Sequence, residues 1–102
     1  MNTDEVREYI WQKRDASGLD LSVQGITALP PEIGQLTHLK ILNLWMNQLT
    51  AMPPETGQLK NLVELELDGN PLPIPLEILA KTEEPETIIS WYFKRVKSGS
   101  AG

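Results

Sequence analysis

One stretch decides the fold of this chain: Leu39-Lys-Ile-Leu-Asn-Leu-Trp-Met-Asn-Gln-Leu49. It has the spacing L-x-x-L-x-L-x-x-N-x-L, which returns 23 residues later in residues 62–72 and, less completely, 23 residues earlier in residues 16–26. A unit of this length cannot bury its own apolar face, so the copies must stack in one direction and form a solenoid. A solenoid offers an open surface and no enclosed pocket, which favours binding over catalysis.

Each copy should contribute one short parallel strand. The strands are centred on three Leu-x-Leu pairs, Leu19 with Leu21, Leu42 with Leu44, and Leu65 with Leu67. Side chains alternate across a strand, so these leucines point into the core and the residues between and beside them point outward. Asn47 and Asn70 stand at the turn position that can satisfy backbone groups of stacked copies. Gln24 takes that position in the first copy, which leaves the first rung of the ladder open to question.

The pattern resembles the leucine-rich repeat. Residues 29–36 read Leu-Pro-Pro-Glu-Ile-Gly-Gln-Leu, which resembles the 23-residue class with an LPxxI signature, common in cytoplasmic bacterial and plant proteins. The resemblance covers about residues 16–79 and implies an α/β fold. This fold would be a short horseshoe-shaped solenoid with about three parallel strands on the concave face and helical caps at both ends. It also implies that the concave face is the usual partner surface.

We expect a single domain. Its parts are residues 1–97 as the whole domain, 3–15 as an N-terminal capping helix, 16–79 as the repeats, 80–97 as a C-terminal capping helix, and 98–102 as a flexible tail or a remnant of an expression sequence. Thr3 is the expected N-cap of the first helix, and Trp11 is expected to widen its apolar side. Pro85 should occupy the first turn of the second helix, whose apolar stripe ends at Val96. Thr56 replaces Ile33 in the second copy and predicts a local weak point, because a buried hydroxyl needs a partner.

The segment after the repeats carries a second resemblance. Gly69-Asn-Pro-Leu, an acidic linker and Ile88-Ile-Ser-Trp-Tyr-Phe resemble the junction that follows the repeats in bacterial Roco-type proteins, where a GTPase domain comes next. The chain has no G-x-x-x-x-G-K-[ST] loop, so no nucleotide chemistry is carried over. The alternative is a stand-alone small repeat protein with an ordinary cap.

The amino-acid composition limits the cellular compartment and the classes of binding partner to be expected. Cysteine is absent, whereas extracellular leucine-rich repeat domains usually seal their ends with disulfides, so we expect a cytoplasmic protein. The net charge of −5 argues against non-specific binding to nucleic acid. No apolar stretch approaches the ~20 residues of a membrane helix, and no signal peptide is expected. No cofactor is expected either.

The outward residues of the second and third strands form the candidate partner site. They are Ile41, Asn43, Trp45, Met46, Glu64, Glu66 and Asp68. Trp45 is the main candidate, because aromatic anchors ringed by polar groups dominate interface energetics. Met46 and Ile41 extend this patch with apolar surface. In the alternative interpretation, Trp45 folds over Ile41 or the capping helix and only shields the sheet.

The acidic residues of the third strand indicate the charge of the partner. Glu64, Glu66 and Asp68 follow one strand face at intervals of about 7 Å. They suit a partner protein or peptide with an apolar knob and a nearby Lys or Arg, or they are merely a solvated acidic face. Calcium needs six to eight oxygens at about 2.4 Å, which three carboxylates at this spacing do not supply, so no metal is expected.

These features predict a non-catalytic protein–protein interaction module, with a sensing or scaffolding role in a larger signalling protein as one setting. The single histidine, His38, lies in a turn away from the acidic strand and gives no support to an enzyme. Two alternatives stay open: a structural mini-solenoid without a dedicated partner and, with the least support, a catalytic or metal-dependent protein. Self-association through Trp45 would also fit the interaction module.

Overall fold

The computed structural model describes the backbone of residues 1–101 and the side chains of residues 1–95. Val96, assigned above to the apolar stripe of the second cap, has its side chain outside this range. Gly102, assigned to the tail, lies outside it entirely.

The elements follow the repeat along the chain. They are α1 (Thr3–Gln12), β1 (Gly18–Asp20), a first 3₁₀ helix (Pro31–Gln35), β2 (Ile41–Asn43), a second 3₁₀ helix (Pro54–Gln58), β3 (Glu64–Glu66), α2 (Leu76–Leu79) and α3 (Pro85–Ala101). The prediction of one short strand per copy is confirmed. The helix α3 begins at Pro85 as expected and continues past residue 97 to Ala101. Within the described residues, no helix has both the length and the apolar character that a membrane crossing requires.

The three strands form one open parallel sheet in the order β1-β2-β3. Leu19 is in register with Leu42, and Leu42 with Leu65, so the 23-residue spacing of the sequence becomes vertical stacking in space. The core of the solenoid lies directly behind these leucines, each of which is at most 2% exposed. The expected α/β solenoid with three parallel strands is therefore confirmed.

The convex side is a stack of the two 3₁₀ helices. Each begins with a proline, which fixes φ and needs no N–H partner at a helix start. The close approach depends on Gly34. A Cβ on Gly34 would lie 2.8 Å from Glu55 Cβ and 2.9 Å from the Glu55 carbonyl oxygen, whereas a Cβ on Gly57 would have no neighbour within 4 Å.

The asparagine ladder is present in two of the three copies. Asn47 Oδ1 accepts from the N–H groups of Gln24 (2.9 Å) and Ile26 (3.0 Å), and Asn47 Nδ2 donates to the carbonyls of Leu21 (2.9 Å) and Leu44 (3.0 Å). Asn70 repeats this arrangement one copy later, where its Nδ2 donates to the Leu44 and Leu67 carbonyls and its Oδ1 accepts from Leu49 N–H. The ladder role of both asparagines is confirmed.

The first rung of the ladder is missing. The side chain of Gln24 is exposed and makes no hydrogen bond with the described residues. Its carbonyl oxygen accepts instead from the N-terminal ammonium of Met1. Because glutamine is one methylene longer than asparagine, Gln24 does not form a rung. The first copy is instead bonded by Asn47 of the second copy and by Met1 at the N-terminus.

The N-terminal cap differs from the prediction in two details. The N-cap is Asn2 and not Thr3: Asn2 Oδ1 accepts from Glu5 N–H at 2.8 Å, and Glu5 Oε1 accepts from Asn2 N–H at 3.0 Å. This reciprocal capping box needs a glutamate three residues after the cap, which Asn2 has and Thr3 lacks. Trp11 was wrongly expected on the apolar side: it is 59% exposed, because Val6 and Ile10 alone fill the narrow buried stripe of this helix.

In place of a third 3₁₀ helix the chain forms α2, and α3 of the C-terminal cap follows it. Ile88 and Tyr92 of α3 are buried, and α3 packs against the second 3₁₀ helix. Tyr92 Oη accepts a hydrogen bond from Met52 N–H at 3.1 Å. The open edge of β3 meets the loop before α3, since Leu65 N–H donates to the Thr82 carbonyl at 2.8 Å.

Thr56 is fully buried in the second 3₁₀ helix, and its Oγ1 has no hydrogen-bond partner among the described residues. The predicted weak point therefore coincides with a buried polar atom whose hydrogen-bonding capacity is unused.

Candidate partner-binding face

The concave face is arranged in rows that run across the strands. The pairing of the sheet gives two rows, Gly18–Ile41–Glu64 and Asp20–Asn43–Glu66. Backbone hydrogen bonds continue the pairing between neighbouring copies beyond the strands: Val23 N–H donates to the Trp45 carbonyl and Met46 N–H to the Asp68 carbonyl, both at 2.9 Å. These bonds give a third row, Ser22–Trp45–Asp68, and a fourth at the turn, Val23–Met46–Gly69. All seven predicted site residues fall on these four rows.

The apolar residues of the face are exposed on the middle strand and its turn. Ile41 is 41% exposed, Trp45 44% and Met46 49%. Neighbouring strands lie about 4.8 Å apart, so the acidic residues of the third strand begin one strand spacing away. Glu64 and Glu66 are partly buried and Asp68 is exposed. The face therefore joins an apolar centre to an acidic side.

The turn row has an unusual backbone. Val23 has a φ of +54° and Met46 of +57°, and the third position, Gly69, has a φ of +81°. A Cβ on Gly69 would lie 2.6 Å from Met46 Sδ, so the methionine side chain covers the glycine. Val23 is 62% exposed beside Met46 and extends the apolar patch. Val23 was not among the predicted site residues, although its 23-residue register with Met46 was visible in the sequence.

Two side chains of the second row, those of Asp20 and Asn43, accept hydrogen bonds from residues just after their own strands. Asn43 Oδ1 accepts from Trp45 N–H at 3.0 Å, and Asp20 Oδ1 accepts from Ser22 N–H at 3.0 Å and from Ser22 Oγ at 2.7 Å. These hydrogen bonds from Ser22 lower the pKa of Asp20. The bond from the hydroxyl has the larger effect and the bond from the backbone N–H the smaller one. Asn43 thus fixes the backbone of Trp45 and keeps its Nδ2 without a hydrogen-bond partner among the described residues.

Glu66 is the carboxylate of the face whose charged form is destabilised by its surroundings. Burial, and then the negative charges of Asp68 and Glu64, raise its pKa above the ordinary value of a glutamate. Among the described residues, no amide or hydroxyl group donates a hydrogen bond to Glu66 as Ser22 does to Asp20. A cation placed beside Glu66 would relieve this repulsion.

The described residues contain no group of three or more His, Cys, Asp or Glu side chains arranged to hold a metal ion. His38 is exposed in the turn before Leu39. The concave face presents apolar area, charged side chains and hydrogen-bonding groups.

A second exposed aromatic residue lies away from this face. Trp11 borders a groove of about 520 Å³ between α1 and the first 3₁₀ helix, whose floor includes Ile10 and Leu36. The guanidinium of Arg14 stacks on the Trp11 ring at 4.0 Å from its centroid, and Arg7 Nε binds Glu32 Oε2 at 2.9 Å across the same groove. Trp11 is thus an exposed tryptophan outside the concave face, which makes it a useful reference for Trp45.

Comparison with known proteins agrees with this geometry. The family model described as leucine rich repeat matches residues 17–72, which is 56 of the 102 residues. No curated protein matches the chain. The matched residues begin just before β1 and end just after Asn70, so they contain the whole sheet and both rungs of the ladder. The chain belongs to the leucine-rich repeat family.

Proposed function

We propose that this chain is a non-catalytic protein–protein interaction module that binds its partner on the concave face of the sheet. Leucine-rich repeat domains are generally protein–protein interaction modules, and the family is typically non-enzymatic. The observation that carries the proposal is the joint exposure of Ile41, Trp45 and Met46 on the middle strand and its turn. Burying such a cluster supplies much of the free energy of an interface, with the aromatic residue as its anchor.

The partner surface combines an apolar group with a basic group. Glu66 faces the same side as Asn43 one strand away, and its carboxylate is destabilised by burial and by its acidic neighbours. A Lys or Arg of the partner would be attracted by Glu64 and Glu66 of β3 and by Asp68 just after it, while an apolar side chain covers Trp45. Charge complementarity of this kind speeds association and selects the partner.

The cellular setting is part of the same proposal. We place the module in the cytoplasm, as a sensing or scaffolding segment of a larger signalling protein of the Roco type. The absence of cysteine supports a reducing compartment, and the segment from Gly69 to Phe93 supports the Roco-type junction through its sequence resemblance.

Two observations favour the alternative of a structural mini-solenoid without a dedicated partner. Asn43 and Asp68 both use one side-chain oxygen in local turns, and more than half of the Trp45 surface is covered within the chain. Self-association through Trp45 would be a form of the same interaction module, and a mass that rises with protein concentration would identify it.

The test uses the two exposed tryptophans. The native chain, a Trp45→Arg variant and a matched Trp11→Arg variant are immobilised, after circular dichroism shows that all three are folded. Proteins captured from a lysate of the source organism are identified and then purified for direct binding. We expect a partner that binds the native chain and the Trp11→Arg variant and loses at least tenfold in affinity for Trp45→Arg, since a central aromatic anchor is worth about 2 kcal/mol or more.

Equal binding to all three chains, or no binding partner at all, would contradict the concave-face site and favour the mini-solenoid. A partner lost only with Trp11→Arg would move the site to the groove beside α1.

A further inference from the structure

The N-terminal edge of the sheet is open. The N–H groups of Leu21 and Val23 donate toward β2, to the carbonyls of Asn43 (2.8 Å) and Trp45 (2.9 Å). Backbone groups alternate in direction along a strand, so the N–H and C=O groups of Gly18 and Asp20 point away from β2. None of these four groups forms a hydrogen bond with the described residues. Gly18 is exposed, and because it has no side chain this exposure is that of its backbone.

The two edges of the sheet differ in whether the chain itself supplies hydrogen-bond partners for their backbone groups. At the far edge the chain provides its own partner, since Leu65 N–H donates to the Thr82 carbonyl at 2.8 Å. At the near edge, α1 packs against the first 3₁₀ helix on the convex side. This helix seals the end of the core and leaves the outer backbone groups of β1, on the side away from β2, without partners. Such a free edge is the usual template for an added strand.

The outward side chains beside this edge specify what fits there. A Cβ on Gly18 would lie 3.8 Å from Ile41 Cβ, so the bare glycine opens a path from the edge to the exposed flank of Ile41. Two residues on, the carboxylate of Asp20 uses only Oδ1 in its turn with Ser22. Its Oδ2 has no hydrogen-bond partner among the described residues, and Asp20 lies on the same exposed face of β1 as Gly18. The edge thus presents apolar surface of Ile41 beside Gly18 and a negative charge at Asp20.

We propose that the free edge of β1 is a strand-addition site for an extended peptide segment of a partner protein that carries a basic residue beside Asp20 and an aliphatic residue beside Gly18. The added strand runs antiparallel, because the antiparallel ladder is the stronger one, so the segment reads Lys/Arg-x-aliphatic from its N-terminus. The four free backbone groups hold the peptide in place. The Asp20 charge excludes acidic segments and so protects this short edge from unselective pairing.

A basic segment suits this edge better than a second copy of the chain. A symmetric pair of β1 strands would bring together two molecules that each carry a net charge of −5, and it would place Gly18 rather than a cation opposite Asp20. This edge shares only Ile41 with the Trp45 patch, and its free backbone groups and Asp20 lie outside that patch, so the proposal does not rest on the concave-face site.

The test is an NMR titration of the whole chain, labelled with ¹⁵N, with short capped peptides of alternating threonine. The first peptide has Lys-Thr-Ile at its centre, the second the reversed order Ile-Thr-Lys, and the third Glu-Thr-Ile. A fourth repeats the first with N-methyl groups on the amides that face β1. We expect only the first to shift the amides of Gly18 and Asp20 strongly and to slow their hydrogen exchange, with Leu65 unchanged as the internal reference.

Asp20→Asn is the matched protein variant. Asn43 shows that an asparagine holds the same turn at the equivalent position, so this variant keeps the strand end and removes only the charge. The affinity for the Lys-Thr-Ile peptide should fall about two- to fivefold, the usual range for an exposed ion pair. The Trp45→Arg variant should bind this peptide unchanged, which separates the edge from the concave-face site.

Three results would overturn the proposal. The first is no shift at Gly18 and Asp20 with about 5 mM peptide, a concentration that detects even weak complexes. The second is a shift confined to the residues around Trp45 and Glu66. The third is a dimer that protects the same two amides without peptide, which would assign the edge to a second copy.

Discussion

Gly34 lies so close to Glu55 that the missing side chain is what allows the two 3₁₀ helices to stack. A Cβ on Gly34 would lie within 3 Å of both the Cβ and the carbonyl oxygen of Glu55, and these atoms cannot rotate away. The equivalent residue one copy later, Gly57, faces open space. The two glycines occupy the same repeat position, but close packing requires a glycine only at Gly34.

The first prediction compares these two glycines. Gly34→Ala should lower the free energy of unfolding by about 1–3 kcal/mol, because the second 3₁₀ helix must move to make room for the methyl group. Gly57→Ala should be neutral or stabilising by up to about 1 kcal/mol, since alanine restricts the unfolded chain and meets nothing in the folded one. Urea unfolding of both variants measures the difference. Equal losses would show that the stack does not depend on this contact.

The second prediction concerns the ladder. Asn47→Ala should lower the free energy of unfolding by about 3 kcal/mol or more, because it removes four hydrogen bonds and leaves buried backbone groups without partners. Gln24→Ala, at the same repeat position, should change it by less than about 0.5 kcal/mol, as is usual for surface substitutions. Thermal and urea unfolding provide the comparison, and a large effect at Gln24 would contradict the missing rung.

The third prediction concerns the unpartnered hydroxyl. Thr56→Val keeps the shape of the side chain and removes the buried polar atom, so we expect a gain of about 1 kcal/mol in the free energy of unfolding. The control is Thr50→Val, an exposed threonine that should give no gain. If Thr56→Val is destabilising, the hydroxyl has a hydrogen-bond partner in solution, such as an ordered water.

The fourth prediction concerns the left-handed turn at Val23. A β-branched residue at a φ of +54° is strained, and asparagine tolerates this region much better. Val23→Asn should therefore raise the free energy of unfolding by about 1 kcal/mol although it removes an apolar side chain. Val63→Asn is the control, because Val63 is similarly exposed but has a negative φ, and it should give no gain. A loss at Val23 equal to that at Val63 would show that its apolar contact matters more than its backbone.

The fifth prediction uses pH. The raised pKa of Glu66 means that its charged form weakens the fold, so its stabilising contribution is present below the unfolded-state pKa and is lost as pH rises through the folded-state pKa. Glu66→Gln should accordingly raise the melting temperature at about pH 7 and give no gain at about pH 3. Asp20, whose pKa is lowered, should act in the opposite direction: its contribution is present at neutral pH and lost as pH falls through its folded-state pKa.

The opposite signs at Glu66 and Asp20 make the pH test self-controlled. Asp20→Asn should lower the melting temperature at about pH 7 while Glu66→Gln raises it, and both differences should vanish in acid. Two variants that shift the melting temperature in the same direction would show that hydrogen bonding or packing, and not charge, governs the concave face.

The repeat made the fold predictable, because a spacing that recurs three times fixes strand register, core and ladder together. The leucine pairs, Asn47 and Asn70, and the buried threonine follow directly from it. The concave face follows as well, since alternation along a strand assigns each side chain to one side. What the partner is does not follow, because the shape and charge of one face are compatible with many ligands.

Features without a repeat were predicted less well. Trp11 was misplaced because a two-residue apolar stripe on a short helix leaves the orientation of its flanks undetermined. The pairing of Leu65 with Thr82 depends on one carbonyl in an irregular loop, which has no periodic signal. The N-cap was readable in principle, since Asn2 and Glu5 have capping-box spacing. The positive φ at Val23 was not, because valine is among the least expected residues there.

The hydrogen bond between Tyr92 Oη and Met52 N–H has a consequence for how the molecule comes apart. In most repeat proteins each unit senses only its immediate neighbours, so unfolding can stop between units. Here α3, which follows the third copy, packs against the 3₁₀ helix of the second copy and is hydrogen-bonded to Met52 before it. The last unit cannot fray alone without exposing the middle one. The solenoid should thus behave as a single cooperative unit in calorimetry, with a van't Hoff enthalpy equal to the calorimetric enthalpy.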